Sequence, residues 1–168
     1  MATPCELYII RHGVAEERGD AWPDDTKRPL TEDGTTKWRK ASRALARTGL
    51  LVDVVLTSPL IHARQTAEIF AAELSPHPAL VTVDALAPGG SLANVLAEIE
   101  KHARRKRIAI VGHEPGLGEL AGRLAGMRQA LEFKKGAICR IDVESLPSKN
   151  PGTLRWFLTP KILRNLKK

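Results

Sequence analysis

The sequence predicts one α/β domain over residues 1–168: a three-layer α/β/α sandwich on a mainly parallel sheet. Three observations predict it. Short β-branched runs alternate with amphipathic helical stretches, the pattern of strand–helix–strand units. Two of those runs stop abruptly on a histidine, Leu7-Tyr-Ile-Ile-Arg-His-Gly13 and Arg107-Ile-Ala-Ile-Val-Gly-His113. A length of 168 residues, with no internal repeat and no low-complexity linker, suits one hydrophobic core.

The elements follow in order. Leu7 to Arg11 is a buried strand. Val14 to Pro29 has no hydrophobic period and carries Gly19, Pro23 and a run of acidic residues, so it reads as a long loop of the kind that is functional or mobile. Thr31 caps a helix running to about Thr48 and closed by Gly49, with Trp38, Ala41, Ala44 and Leu45 on its inner face. Val52 to Ser58 is the second strand, stopped by Pro59. A helix from about His62 to Leu74 buries Ala63, Thr66, Ala67, Ile69, Phe70 and Leu74. Leu80 to Val83 is a short strand. Ser91 caps a helix from Leu92 to about Ala103, striped by Leu92, Val95, Leu96 and Ile99. Arg107 to Val111 is a strand, and Pro115-Gly116 opens a helix to Leu124. Ala137 to Val143 and Thr153 to Leu158 form a terminal hairpin that adds antiparallel strands, and a short basic helix follows.

Two strands that each end in histidine place two imidazoles side by side at the carboxyl edge of the sheet, where open α/β folds bind ligands. Histidine is a good nucleophile towards phosphorus, and arginine matches phosphate geometry bidentately. The pattern points to phosphoryl chemistry. No cluster has metal-ligand spacing, so neither a metal nor another cofactor is expected. His62 reads as an exposed helix-start residue, and His77 and His102 as solvated.

Composition narrows the class. Twenty-six Lys and Arg against nineteen Asp and Glu give a formal charge of +7. That charge is scattered except at 102–107 and in the tail from Lys161, and aromatics are only 4%, too few for stacking platforms. Neither nucleic acid nor membrane is an expected partner; no apolar run nears the roughly 20 residues of a membrane span. Cys5 and Cys139 read as buried free thiols, and the first residues show no secretory pattern, so the expected location is cytoplasmic.

Three blocks carry a family resemblance. Arg11-His12-Gly13, the segment Thr57-Ser-Pro-Leu-Ile-His-Ala-Arg64-Gln-Thr-Ala67, and Val111-Gly-His113-Glu-Pro115 resemble the histidine phosphatase (phosphoglycerate mutase-like) superfamily. The small size, Arg28-Pro-Leu-Thr31, Gly112-His-Glu-Pro115 and Leu154-Arg-Trp-Phe-Leu-Thr-Pro160 resemble its bacterial SixA-type phosphohistidine phosphatases. The resemblance spans Leu7 to Pro160 and implies a phosphoglycerate mutase-like fold without a cap domain. It implies His12 as nucleophile, neutral on the attacking nitrogen and held at the other by an acceptor such as a backbone carbonyl. Arg11 and Arg64 would clamp the phosphoryl oxygens with a protonated His113, without a metal. Gly13 would let the backbone pass close to the phosphate, and Arg28 would bind substrate. A general acid is not singled out: Glu16, Asp20, Asp24 and Glu114 stay open.

The leading expectation is a metal-independent phosphatase acting on phosphohistidine, through a covalent phosphohistidine on His12. Its partner would be a phosphorylated protein of the histidine phosphotransfer type, and the enzyme a monomer or weak dimer. A phosphatase of small phosphoesters or condensed phosphates would use the same residues. A phosphate- or phosphoprotein-binding module without turnover is the reading from another class.

Overall fold

The computed structural model describes residues 4–166. The first three residues and the last two lysines of the basic tail lie outside the described residues. The strands are β1 (Cys5–Arg11), β2 (Val54–Thr57), β3 (Ala79–Thr82), β4 (Arg107–Gly112), β5 (Ile138–Val143) and β6 (Thr153–Leu158). They form one sheet in the order β3-β2-β4-β1-β5-β6. The first four are mutually parallel, and β5 and β6 add antiparallel strands at one side. The parallel core with a terminal hairpin is as the sequence predicts.

Five helices cover the two faces: α1 (Glu32–Arg47), α2 (Ile61–Glu73), α3 (Leu92–Glu100), α4 (Gly116–Leu124) and α5 (Pro160–Asn165). Alternate side chains of each strand feed the two cores. Leu7 and Ile9 of β1 join Val95 and Ile99 of α3 and Leu117 and Leu120 of α4. Tyr8 and Ile10 join Trp38 and Leu45 of α1, Ala67 and Phe70 of α2 and Leu163 of α5. Ile9, Ile110, Val55 and Phe70 are wholly buried, and each such side chain contributes roughly 1.5–3 kcal/mol. This rigid slab fixes where the strand ends lie. The free thiols Cys5 and Cys139 are buried in it, and burial pushes both up to about 12.

The helix caps follow the sequence signals. The hydroxyls of Thr31, Ser91 and Thr159 accept the N–H groups of Gly34, Asn94 and Ile162. Some boundaries differ. The second strand begins at Val54 rather than Val52, because Asp53 turns its carboxylate onto the N–H groups of Lys106 and Arg107. The third helix ends at Glu100 and closes in turns. The long loop is more ordered than its composition suggests: Ala15 bridges Leu30, and Asp24 caps a single 3₁₀ turn at Asp25–Lys27.

The topology places a crevice at one point. The connections leaving β1 and β2 pack their helices on one face, whereas those leaving β3 and β4 pack theirs on the other. Since β1 and β4 are neighbours, their chains part to opposite faces, the switch point where α/β sheets bind ligands. No inserted domain stands between α2 and α3, only β3 and a 3₁₀ turn. No helix of the described residues is long and apolar enough to cross a membrane.

Candidate active site

Arg11 of β1 is in register with Gly112 of β4, so His12 and His113 are the next residues beyond a matched pair of strand ends. Their ring centroids are 5.0 Å apart. One strand further over, Ser58 follows Thr57, which is in register with Val111. Nε2 of His113 is hydrogen-bonded to the buried Ser58 hydroxyl at 2.8 Å. Ser58 is a positioning residue that spacing alone did not reveal.

His12 is held as a nucleophilic imidazole would need to be. Nδ1 donates to its neighbour's carbonyl, Gly13 O, at 2.7 Å. That bond fixes the tautomer and leaves the Nε2 lone pair free. The ring is buried, and desolvation lowers its pKa to about 3, so it is neutral across the physiological range. The backbone around it is pinned by Gly136, whose N–H contacts the carbonyls of both Arg11 and His12 at 3.1 and 3.0 Å. Gly136 sits at φ +81, a conformation that side chains resist.

Gly13 has a different part from the one expected. A Cβ there would meet Leu30, Thr66 and Trp38 at ordinary contact distance, so the missing side chain does not open room for a ligand. Gly13 instead orients His12: its carbonyl takes the Nδ1 proton, and its N–H donates to Thr66 Oγ1 at 3.0 Å. Thr66 in turn donates to His62 O at 2.7 Å.

The expectation for α2 is corrected. Arg64 is exposed and pairs with Glu68 one turn later at 3.1 Å, rather than with the histidine pair. The residue this helix delivers is His62, expected to be exposed and in fact 1% exposed. Its ring lies 4.4 Å from that of His12 and 5.2 Å from that of His113. Helix phase explains both placements. Two residues turn through about 200°, so His62 and Arg64 face opposite sides. His62 shares the i, i+4, i+8 row with Thr66 and Phe70, both wholly buried; that row was the available sequence signal. His62 Nδ1 donates to Arg28 O at 2.9 Å.

Arg11 and Arg28 supply the positive charge. Arg11 Nη1 donates to Phe133 O at 2.7 Å, while its Nε is buried without a partner. Burial lowers its pKa. Arg28, reached by the long loop, is buried; Nε donates to Asp25 at 2.8 Å and Nη1 to Glu16 O at 2.7 Å. Its charge acts on both His62 and His113, as does the opposing charge of Asp25. Asp25 is a further acid near the histidines that sequence spacing does not single out. The hydrogen bond from Arg28 holds its carboxyl below the usual range. Burial above all, then the neighbouring His62 and, against the opposing Asp25, Arg11 and Arg28, lower the pKa of His113 to about 4, so without an anion beside it the ring is neutral near pH 7.

Two of the four candidate acids are held as caps, and none of the four is hydrogen-bonded to the histidine pair. Glu114 caps: it accepts from Gly118 N at 2.6 Å and Phe133 N at 3.2 Å. Asp24 caps the 3₁₀ turn, and Asp20 is exposed. Glu16 is half-buried and meets Arg28 through its carbonyl.

The sequence has no metal-ligand spacing, yet the fold brings three histidines together. One nitrogen from each of His12, His62 and His113 lies within 4.8 Å of the other two. Spacing along the chain was blind to this, because the three come from β1, α2 and β4. A cavity of about 200 Å³ adjoins His113, lined by 85–90, Leu92, Val95 and the start of α4. The site can therefore present an uncharged nucleophilic nitrogen beside two guanidiniums.

Comparison with known proteins accords with this geometry. The description of the histidine phosphatase superfamily (branch 1) matches residues 7–87. An uncharacterized protein of Picosynechococcus sp. (strain ATCC 27264 / PCC 7002 / PR-6) is 46% identical over 123 residues, 71% of this chain and 73% of that one. Phosphohistidine phosphatase SixA of Escherichia coli (strain K12) is 27% identical over 164 residues, 96% of this chain and 98% of that protein. A solved structure of the protein histidine phosphatase SixA, complexed with tungstate, superposes with a TM-score of 0.82 at 25% identity, covering 93% of this chain and 97% of that one.

Proposed function

The chain belongs to the histidine phosphatase superfamily (branch 1), and within it we propose a phosphatase that removes the phosphoryl group from phosphohistidine on a protein. The free Nε2 of His12 beside His113, at the sheet's switch point, carries the reading. The phosphoryl group enters with its oxygens towards Arg11 and Arg28. The similar solved SixA holds tungstate, a tetrahedral oxyanion of the same shape. His12 Nε2 forms a bond to phosphorus as the bond to the substrate imidazole breaks. Water then attacks phospho-His12, releasing orthophosphate and restoring the ring. The transition state spreads charge over three oxygens, so fixed guanidiniums supply most of the stabilisation and the step needs no metal. An incoming phosphate dianion raises the pKa of His113, which then shares that load as a cation.

Leaving-group chemistry supports this substrate class. An alkoxide must be protonated as it leaves, and a dedicated general acid usually contributes 10²–10⁴-fold. Among the described residues no carboxylate is hydrogen-bonded to His12 or His113: Glu114 and Asp24 cap backbone turns, and Asp25 is an ion-paired carboxylate with a lowered pKa. Imidazole leaves as a neutral ring once its other nitrogen carries a proton. The adjoining cavity of about 200 Å³ is also smaller than the roughly 300–1,000 Å³ of enclosed small-molecule sites, so it suits a protein side chain. The partner is then a phosphorylated protein of the histidine phosphotransfer type, and the buried free thiols fit a reducing cytoplasm.

A side-by-side assay tests this. Phosphohistidine protein is expected to show kcat/KM at least 100-fold above phosphoserine peptide and small phosphoesters. Comparable values would replace the proposal with a small-phosphoester phosphatase.

A further inference from the structure

His12, His62 and His113 do more than line a phosphate site. Their nitrogens lie within 4.8 Å of one another, and all three rings are buried. Each ring is also anchored from behind, by Gly13 O at 2.7 Å, Arg28 O at 2.9 Å and the Ser58 hydroxyl at 2.8 Å. That outer support is the arrangement that orients metal-bound histidines, where the second ring nitrogen donates to a carbonyl or other acceptor. We propose that these three histidines bind one divalent transition-metal ion of the zinc class, and that the bound ion blocks phosphoryl transfer.

The donor set chooses the ion. Three imidazoles suit zinc, copper or nickel, and give magnesium or calcium none of the oxygens they require. A tetrahedral ion with nitrogens at about 2.0–2.1 Å needs them about 3.4 Å apart, so modest ring rotations close the cluster. Burial keeps the rings neutral, the form that offers lone pairs. Three protein ligands leave a fourth position open. Arg11 and Arg28 oppose a bare cation, and they favour an anion such as phosphate or hydroxide at that position. The blocking half rests on the proposed nucleophile: the Nε2 lone pair of His12 cannot bind the ion and attack phosphorus at once. The binding half does not depend on it.

Chelator-treated, metal-free protein is titrated with Co²⁺ as a visible probe, then with Zn²⁺ as competitor. The expected result is a saturable band of four-coordinate cobalt at one ion per chain, displaced by one equivalent of zinc. His62→Ala should weaken binding at least 100-fold. Should that variant lose its native circular dichroism, X-ray absorption of the zinc-loaded wild type decides instead, with three imidazole nitrogens expected at about 2.0–2.1 Å. Non-saturating binding, equal affinity in a folded His62→Ala protein, or fewer than three imidazoles would overturn the site. In the phosphatase assay one equivalent of zinc should abolish turnover and chelator restore it. Tight binding with full activity would overturn the blocking half alone. An absence of activity on every substrate would count against the proposed function and leave the cobalt result standing.

Discussion

His62 and Arg64 stand two residues apart on α2 and face different worlds: the His62 ring packs edge-on against His12 at 4.4 Å, while Arg64 lies in solvent paired with Glu68. The arginine that looks like a phosphate clamp is a surface residue, and the histidine that looks like a surface residue is in the site. Arg64→Ala should therefore change kcat/KM less than about 3-fold and Tm little, since exposed i,i+4 pairs contribute only about 0.3–0.5 kcal/mol. Steady-state kinetics and thermal melts check both. A loss of 100-fold, the usual cost of removing a transition-state charge, would return Arg64 to the clamp.

Glu114 gives the opposite signature. Its carboxylate accepts two backbone N–H groups, from Gly118 and Phe133. Glu114→Ala orphans both and should cost about 1–3 kcal/mol of stability, while phosphohistidine turnover of the folded fraction falls less than 10-fold. Urea titration alongside kinetics separates the two effects. Unchanged stability with collapsed turnover would make Glu114 the general acid.

Acid should weaken the fold through the histidines. Burial lowers His12 from 6.5 to about 3 and His113 from 6.5 to about 4. The unfolded chain therefore takes up protons first as pH falls below 6.5. The stability these rings contribute is complete above that pH and is lost progressively towards about pH 4 for His113 and about pH 3 for His12. At pH 5 the loss reaches up to about 2 kcal/mol per ring. Urea midpoints in chelator should drop from pH 7.5 to pH 5, and drop less in a His12→Asn, His113→Asn double variant. Equal drops would show that the rings are not held neutral.

Much of this was legible in the chain. Period-2 and period-3.6 patterns placed the strands and helices to within a few residues, because each element buries one regular face of an α/β slab. Arg11, His12 and His113 were legible because a strand that ends on a charged or polar residue announces its tip. His62, Ser58 and Asp25 were not. His62 needed the phase of α2 against the sheet, Ser58 the register of β2 on β4, and Asp25 the fold of a loop with no hydrophobic period. These are relations between segments, and a linear pattern carries them weakly. The same blindness hid the three-histidine cluster.

The central claim is that His12 carries the phosphoryl group. The most direct measurement is a rapid-quench experiment with a radiolabelled phosphohistidine protein. The account predicts transient label on this chain that is acid-labile and base-stable, and that disappears in His12→Ala together with turnover. Label that persists on a folded His12→Ala protein, or undiminished turnover by it, would contradict the account.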